Sequence, residues 1–590
     1  MARNKYDVDE QLESAFQMVH LKRSLLYVKR YGRRMLLAFL LSIVASVVSL
    51  FGPSLTQMAI DVALPNKDVR LLVLLSSLLA GTIVISVLLS MARGLIIAAV
   101  GQHIIRDIRR DLFVHLQELP FSYYDSRPHG KILVRVVHYV NNVADMLSNG
   151  LISIVIELLN VVFIVIFMLR TDARLALIIM AGLPVVTLVI FLLKPAQRKA
   201  WQQISNKNSN LTAYTAENID GVRVTQMFDR QPENMNIYRK LVGMTRKAWM
   251  KGTRISYGVG FSTELMAQIV LALVYIAGIL WFDPTISPGV LLAMGAYASR
   301  FWQPIVNLAN LYNNVINSIS YLERIFETID EPVTVSDAPD ATPLPPMIGE
   351  VSFDKVSFAY EPPTMILNEV SFTVRPGQSV ALVGPTGAGK STIINLISRF
   401  YNVTDGIVLI DGQDISAVTL QSLRSQLGIM MQDSFIFSGT VADNIRYGRL
   451  DATEEEIRAA AIAVRADEFI TELSNGYETE LSERGGSLSA GQKQLISFAR
   501  TMLSDPRVLI LDEATSSIDA KTEQLLQTGI AELLRGRTSF IVAHRLSTIQ
   551  SCDVIMFIDG GNIVERGSHE ELMERQDRYY ELYMAGTAQG

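Results

Sequence analysis

Residues 378–392 read QSVALVGPTGAGKST. Residues 379–383 form an apolar run, a glycine-rich loop follows, and a helical pattern takes over at Ser391. Within that order sits the spacing G-x-x-x-x-G-K-S over 384–391. The spacing alone also occurs in ordinary glycine turns; a strand before it and a helix after it single out a phosphate-binding loop. Gly384, Gly387 and Gly389 let backbone N–H groups close on phosphate oxygens, and the helix start adds its positive dipole end. Lys390 is then set to reach the outer phosphates of a nucleoside triphosphate, and the Ser391 hydroxyl to ligate Mg²⁺. Such a loop belongs to an α/β P-loop domain.

Downstream, residues 508–513 read VLILDE, a buried-strand pattern closed by two carboxylates. Asp512 suits the Mg²⁺ shell. Glu513, at the strand's end, suits a base within hydrogen-bond reach of an attacking water. A solvated strand end would carry such acids too, but not after four apolar residues and downstream of a phosphate loop.

The rest of the chain is of another kind. At 590 residues several domains are expected. The hydrophobic fraction is 49%, and mean hydropathy is +0.27, with the apolar runs concentrated between 35 and 310. Net charge is only -5, and no long basic stripe points to nucleic acid. The single cysteine, Cys552, excludes a disulfide framework and reads as a small buried filler. The opening MARNKYDVDEQLESAF lacks an apolar core, so no cleaved signal peptide is expected.

A bilayer core of about 30 Å takes roughly 20 apolar helical residues. Six stretches qualify: 35–60, 71–99, 147–169, 173–195, 256–281 and 287–310. The arm before them carries Lys22, Arg23, Lys29, Arg30, Arg33 and Arg34, and the connections 100–146 and 196–255 are also basic, whereas the turns near 65–68, 171–174 and 283–288 are not. Positive loops stay inside, so both termini and the soluble domain are expected in the cytoplasm. Residues 19–34 fit a helix lying along the inner membrane face. The two long connections have helical patterning, so the spans are expected to run on beyond the membrane and turn there on short helices. Residues 329–349 hold prolines at 332, 339, 343, 345 and 346 and read as an extended linker. The domain bounds expected are an arm over 1–34, an all-α six-helix transmembrane domain over 35–328, the linker, and a nucleotide-binding domain over 350–590.

In combination and order these motifs resemble those of an ABC transporter, an exporter-type half with membrane domain first and nucleotide domain second. The resemblance covers the chain from about residue 20. It implies that Tyr360, in VSFAYE, stacks on adenine, and that the Walker A contacts of 384–391 extend to Thr386, Ala388 and Thr392. It implies that Gln432 is the Q-loop glutamine, a Mg²⁺ contact and link to the membrane domain. Residues 480–485, ELSERG, resemble the X-loop. LSAGQ over 488–492 matches the signature motif, with Ser489, Gly491 and Gln492 as phosphate contacts. Glu513 is the implied catalytic glutamate, Asp519 of SSID belongs to the D-loop, and His544 of VAHRLST is the switch histidine. ATP and Mg²⁺ are the implied cofactors. Two departures stand out: Ala490 replaces the usual signature glycine, and Tyr139 stands where relatives often have Asp.

One Walker set and one signature per chain imply that two chains sandwich two ATP molecules, as a homodimer or a heterodimer; both remain open. The implied activity is ATP-driven export, by alternating access, of an amphiphilic drug, lipid or peptide across the cytoplasmic membrane. An importer on the same fold and a non-pumping regulatory protein are the alternatives. Within the spans, Glu157, Glu264 and Arg300, with Asn160, Gln268 and Gln303 nearby, line a cavity for polar substrate or pair with one another.

Overall fold

The computed structural model describes residues 18–127, 129–281, 286–430, 434–512, 520–542 and 546–587. Contacts divide the chain into two units, Met1–Leu116 with Gly130–Asp330 and Gln117–His129 with Glu331–Gly590.

The first unit is helical. A short helix, Met18–Lys29, precedes Gly32–Met58, which continues through one wider π turn at Ala59–Ala63. Then come Val69–Glu118, Ile132–Thr171, Ala173–Asp220, Gln231–Ile276 and Pro288–Ile329. The 50 residues of Val69–Glu118 reach about 75 Å at about 1.5 Å per residue, more than twice a bilayer core. The six expected stretches are therefore parts of longer helices. Gly32–Ala63, Val69–Glu118, Ile132–Thr171 and Gln231–Leu280 are each long and apolar enough to cross a membrane. The fourth helix offers a shorter apolar stretch, Ala173–Val189, among its described residues. The sixth departs from an uninterrupted apolar span because Arg300, Gln303, Asn307 and Asn310 recur at helical spacing along it.

Close packing of these helices depends on small residues. A Cβ on Gly182 would lie 2.6 Å from Val270 and 3.2 Å from Trp302, the close approach that small residues allow between membrane helices. Around it Ile164, Met168, Leu175, Val274, Tyr297 and Phe301 form a shared core. The Tyr297 hydroxyl donates to the Leu50 carbonyl at 2.8 Å and lies 2.8 Å from Ser54 Oγ, so the buried phenol is satisfied. At helix starts, Asp172 accepts from the N–H groups of Arg174 and Leu175, each at 2.9 Å.

The second unit is α/β. Its strands are β1 Val351–Phe358, β2 Leu367–Val374, β3 Ser379–Val383, β4 Asp405–Ile410, β5 Gln413–Asp414, β6 Leu427–Met430, β7 Gly439–Thr440, β8 Glu480–Leu481, β9 Val508–Asp512, β10 Thr538–Val542, β11 Val554–Asp559 and β12 Asn562–Gly567. One sheet runs β2-β1-β4-β5, a second β12-β11-β3-β10-β9-β6, and β7 pairs β8. The second sheet is parallel apart from β12. Its strands are buried on both faces, as parallel strands usually are. Val380, Leu382, Val508 and Ile510 pack toward the first sheet. Their alternates Ala381, Val383, Leu509 and Leu511 pack toward the helices on the other side.

The proline-rich segment is not a loose tether. Its backbone N–H groups at Ile348, Gly349 and Glu350 donate to the Asp411 carboxylate, that of Leu344 donates to Ser422, and Leu344 and Met347 are buried. Segment 331–349 is thus extended but laid along the soluble unit.

Candidate nucleotide site

β3 ends at Val383 and the chain turns at Gly384, whose φ is 142°. A Cβ there would collide with the Ile558 carbonyl of β11, so the turn needs glycine. Gly387 and Gly389 also have positive φ, and Gly389 caps the helix Lys390–Ile397. Lys390 folds back over the loop: Nζ donates to the carbonyl oxygens of Gly384 and Pro385, both at 2.8 Å. Burial pushes its pKa below the ordinary lysine value, against the pull of Asp512. Phosphate oxygens replacing those carbonyls are charged acceptors and hold the ammonium more strongly. Thr386 and Ser391 are exposed toward solvent, whereas Ala388 and Thr392 are buried. Ala388 belongs to the core cluster, so it reaches a ligand only through its backbone.

Parallel register brings the other elements to the same edge. β10 lies between β3 and β9, with Val542 opposite Leu382 on one side and Asp512 on the other. Met430 of β6 lies opposite Leu511. The carboxyl ends of β3, β10, β9 and β6 therefore open together, the edge at which open α/β sheets bind ligands. The chain leaves β9 straight into Glu513, β10 two residues before His544, and β6 two residues before Gln432. Glu513, His544, Gln432 and Asp519 themselves lie outside the described residues. Ser391 hydroxyl and Asp512 carboxylate are hard oxygen donors of the kind Mg²⁺ takes.

Tyr360 is 44% exposed, so part of its ring stays open for stacking. Its hydroxyl accepts from Asn395 Nδ2 at 3.2 Å and lies 3.3 Å from Thr392 Oγ1, which fixes the ring over the helix that follows the loop. Tyr401 packs edge-on to it at 5.0 Å and donates to Asp125 Oδ2 at 2.5 Å. Burial and that carboxylate both raise the Tyr401 pKa, keeping the phenol protonated. Phe121 packs on Phe400 at 4.2 Å beside this bond. Asn395 and Tyr401 gave no sequence signal, since a polar residue on a helix and an aromatic at a helix end read as surface and core.

The signature turn is built by a capping box. Ser489 caps the helix Ala490–Ser504: its hydroxyl accepts from the Gln492 N–H at 3.2 Å, and the Gln492 side chain accepts from the Ser489 N–H at 2.9 Å. Ala490 is the first helical residue, so its right-handed backbone tolerates the methyl group and still presents an N–H. Gly491 is buried. Further along, Arg500 donates to the carbonyls of Asn444 and Phe435 and to Asn444 Oδ1, and its guanidinium lies over Phe437 and Tyr447. It ties the signature helix to the segment that follows Gln432. An arginine on an amphipathic helix reads as solvated, so sequence reasoning passed over it.

Glu157 accepts from Asn307 Nδ2 at 2.7 Å and from Asn160 at 3.3 Å. Glu264 accepts from Gln268, and Arg300 donates to the Ser49 carbonyl at 2.6 Å. Cavity lining and mutual pairing are the two open alternatives; among the described contacts these three groups meet amides and a backbone carbonyl rather than one another.

Residues 35–305 match the family described as the ABC transporter transmembrane region, and residues 367–516 match the one described as ABC transporter. The chain belongs to the ABC transporter family. It is 39% identical over 588 residues to the ABC transporter ATP-binding protein YknV of Bacillus subtilis, covering 99% of this chain and 97% of that protein. It is 38% identical over 480 residues to a fatty acid ABC transporter ATP-binding/permease protein of Mycobacterium bovis, covering 81% and 76%. A bacterial Atm1-family ABC exporter with ATP bound superimposes with a TM-score of 0.78 at 29% identity, covering 94% of this chain and 98% of that one. This ABC transporter is accordingly a multi-pass membrane protein whose ATP-binding domain couples ATP hydrolysis to transport, with exporter relatives. Its half-transporter architecture requires a second half.

Proposed function

We propose that the chain exports an amphiphilic substrate across the cytoplasmic membrane by alternating access, with both termini and the nucleotide domain inside. Lys390 and the 384–392 loop hold the triphosphate, Tyr360 stacks on adenine, and Ser391, Asp512 and Gln432 would hold Mg²⁺, which would supply neutralisation of the phosphate charge. Glu513 orients or deprotonates the attacking water, and His544 steadies the γ-phosphate side. Ser489, Gly491 and Gln492, with Asp519, complete the site of the opposite subunit, in a homodimer or a heterodimer. Relatives named for multidrug export and multidrug resistance in Bacillus subtilis support amphiphilic cargo.

The observation that carries the reading is the membership of 117–129 in the soluble unit. This turn lies between two membrane helices, yet it packs on Phe400 and is bonded to Tyr401 beside the adenine-side Tyr360. On this reading, nucleotide bound beside Tyr360 acts on a turn that is continuous in sequence with two membrane helices. ATP drives closure because its γ-phosphate gains contacts only in the closed dimer, a differential affinity for the two states.

Glu513→Gln tests it. The purified dimer should still bind ATP, and hydrolysis should fall by about 10²-fold or more, the usual contribution of a positioned base. The closed ATP-bound dimer should accumulate. Near-normal ATPase in this variant would remove Glu513 from the catalytic role.

A further inference from the structure

The helices Ile132–Thr171 and Pro288–Ile329 enclose a recess of about 430 Å³. It is lined by Asn142, Asp145, Asn149, Ser153, Asn314 and Tyr321, among others. Along the first helix Asn142, Asp145, Asn149, Ser153 and Glu157 recur at spacings of three and four, so they share one face. On the second helix Gln303, Asn307, Asn314 and Tyr321 recur at spacings of four and seven, which also keeps them on one face. One turn beyond Ser153, the two faces are joined by Asn307 donating to Glu157 Oε1 at 2.7 Å. Gln303 donates in turn to Asn307 at 3.0 Å, and Asn160 to the second Glu157 oxygen.

The charge of this track is one-sided. Asp145 lines the recess, Glu157 lies one turn beyond Ser153 outside its lining, and no described lining residue is basic. Arg324 lies over the ring of Tyr139, which stacks on the recess-lining Tyr321, and Arg300 donates to the Ser49 carbonyl. A carboxylate at membrane depth costs free energy unless it is paired, and amides pair it only partly. Side-chain carboxamides and carboxylates present carbonyl and carboxyl oxygens to a donor. An anionic head would find only neutral amide and hydroxyl donors there, beside the Asp145 carboxylate.

We propose that this recess receives the head of a cationic amphiphile bearing N–H donors, an ammonium or guanidinium, with Asp145 in the recess and Glu157 one turn beyond it as counter-charges. The inference rests on the exporter reading above and assigns the substrate class to it. The recess is the polar step on the path; the alkyl part stays among the apolar faces of the same helices.

The test uses the purified dimer in proteoliposomes, with decylammonium, decanol and decanoate as probes. The readout is the concentration giving half-maximal stimulation of ATPase. Decylammonium should act at the lowest concentration and decanoate should not stimulate. Glu157→Gln should raise the decylammonium value by about tenfold, the scale of one charge-assisted hydrogen bond. The double variant Glu157→Gln with Asn307→Asp moves the carboxylate across the same hydrogen bond and should recover most of that loss. Equal action of decanol, stronger action of decanoate, or a loss the exchange does not recover would overturn the proposal. A dimer inert to all three probes but hydrolysing ATP in a Glu513-dependent way would overturn it while leaving the pump reading intact. Hydrolysis that does not depend on Glu513 would instead overturn the reading beneath it.

Discussion

Lys390 shows what a single residue contributes to this site. Its ammonium is half-buried, donates to two carbonyls of its own loop, and is held below the ordinary lysine pKa by burial. A bound triphosphate stabilises the protonated form, so the pKa in the complex lies above that of the free protein. The sign follows from that order: ATP affinity is full below the free-state pKa and falls as pH rises through it. Calorimetry in buffers of different ionisation enthalpy should therefore find proton uptake on ATP binding at alkaline pH and none at neutral pH. Lys390→Arg keeps its charge throughout this range and should abolish the uptake. Uptake that persists in that variant assigns the titration to another group.

At the scale of an element, the signature helix carries two demands at one serine. Ser489 closes a capping box with Gln492, and the same turn is proposed to face the phosphate of the opposite site. Ser489→Ala removes the cap and should cost about 1 kcal/mol of stability, measured as a lowered unfolding midpoint of the purified transporter. Ser489→Asp keeps a good cap but adds a negative charge. Stability should then recover while ATPase activity stays low, because the carboxylate repels phosphate. If the Asp variant recovers both, the residue serves the helix alone. Arg500 sets where this helix lies, since its fork and two aromatic neighbours tie it to 435–447.

For the whole molecule the decisive question is which side of the membrane each unit occupies. The proposed answer, the soluble unit inside, rests on the Lys and Arg asymmetry of the connections. Cys552 is buried, so a cysteine introduced at Ala338 can be followed by a thiol reagent. It should react only after lysis, and one at Asp283, which lies outside the described residues, should react in intact cells. Labelling of 338 from outside would invert the topology and with it the direction of transport. The soluble unit includes both 117–129 and the proline-rich 331–349, two segments that flank membrane helices in sequence.

The chain's local order was enough to read the phosphate loop, the carboxylate-ended strand and the apolar runs, because each depends on neighbours within a few residues: a strand, a glycine turn, a helix start, a run long enough for a bilayer. The helical extensions were legible in outline from patterning in the long connections. The sequence did not disclose which amides meet Glu157, that Arg300 turns to a backbone carbonyl rather than to a glutamate, or that Tyr401 reaches Asp125 across 276 residues. Nor did it show that the proline-rich segment lies hydrogen-bonded to Asp411. Those partners come from distant parts of the chain, and a buried polar group takes whichever partner the packing of helices and strands brings within hydrogen-bond reach. Periodicity says which face a residue occupies; only the tertiary structure decides what that face meets.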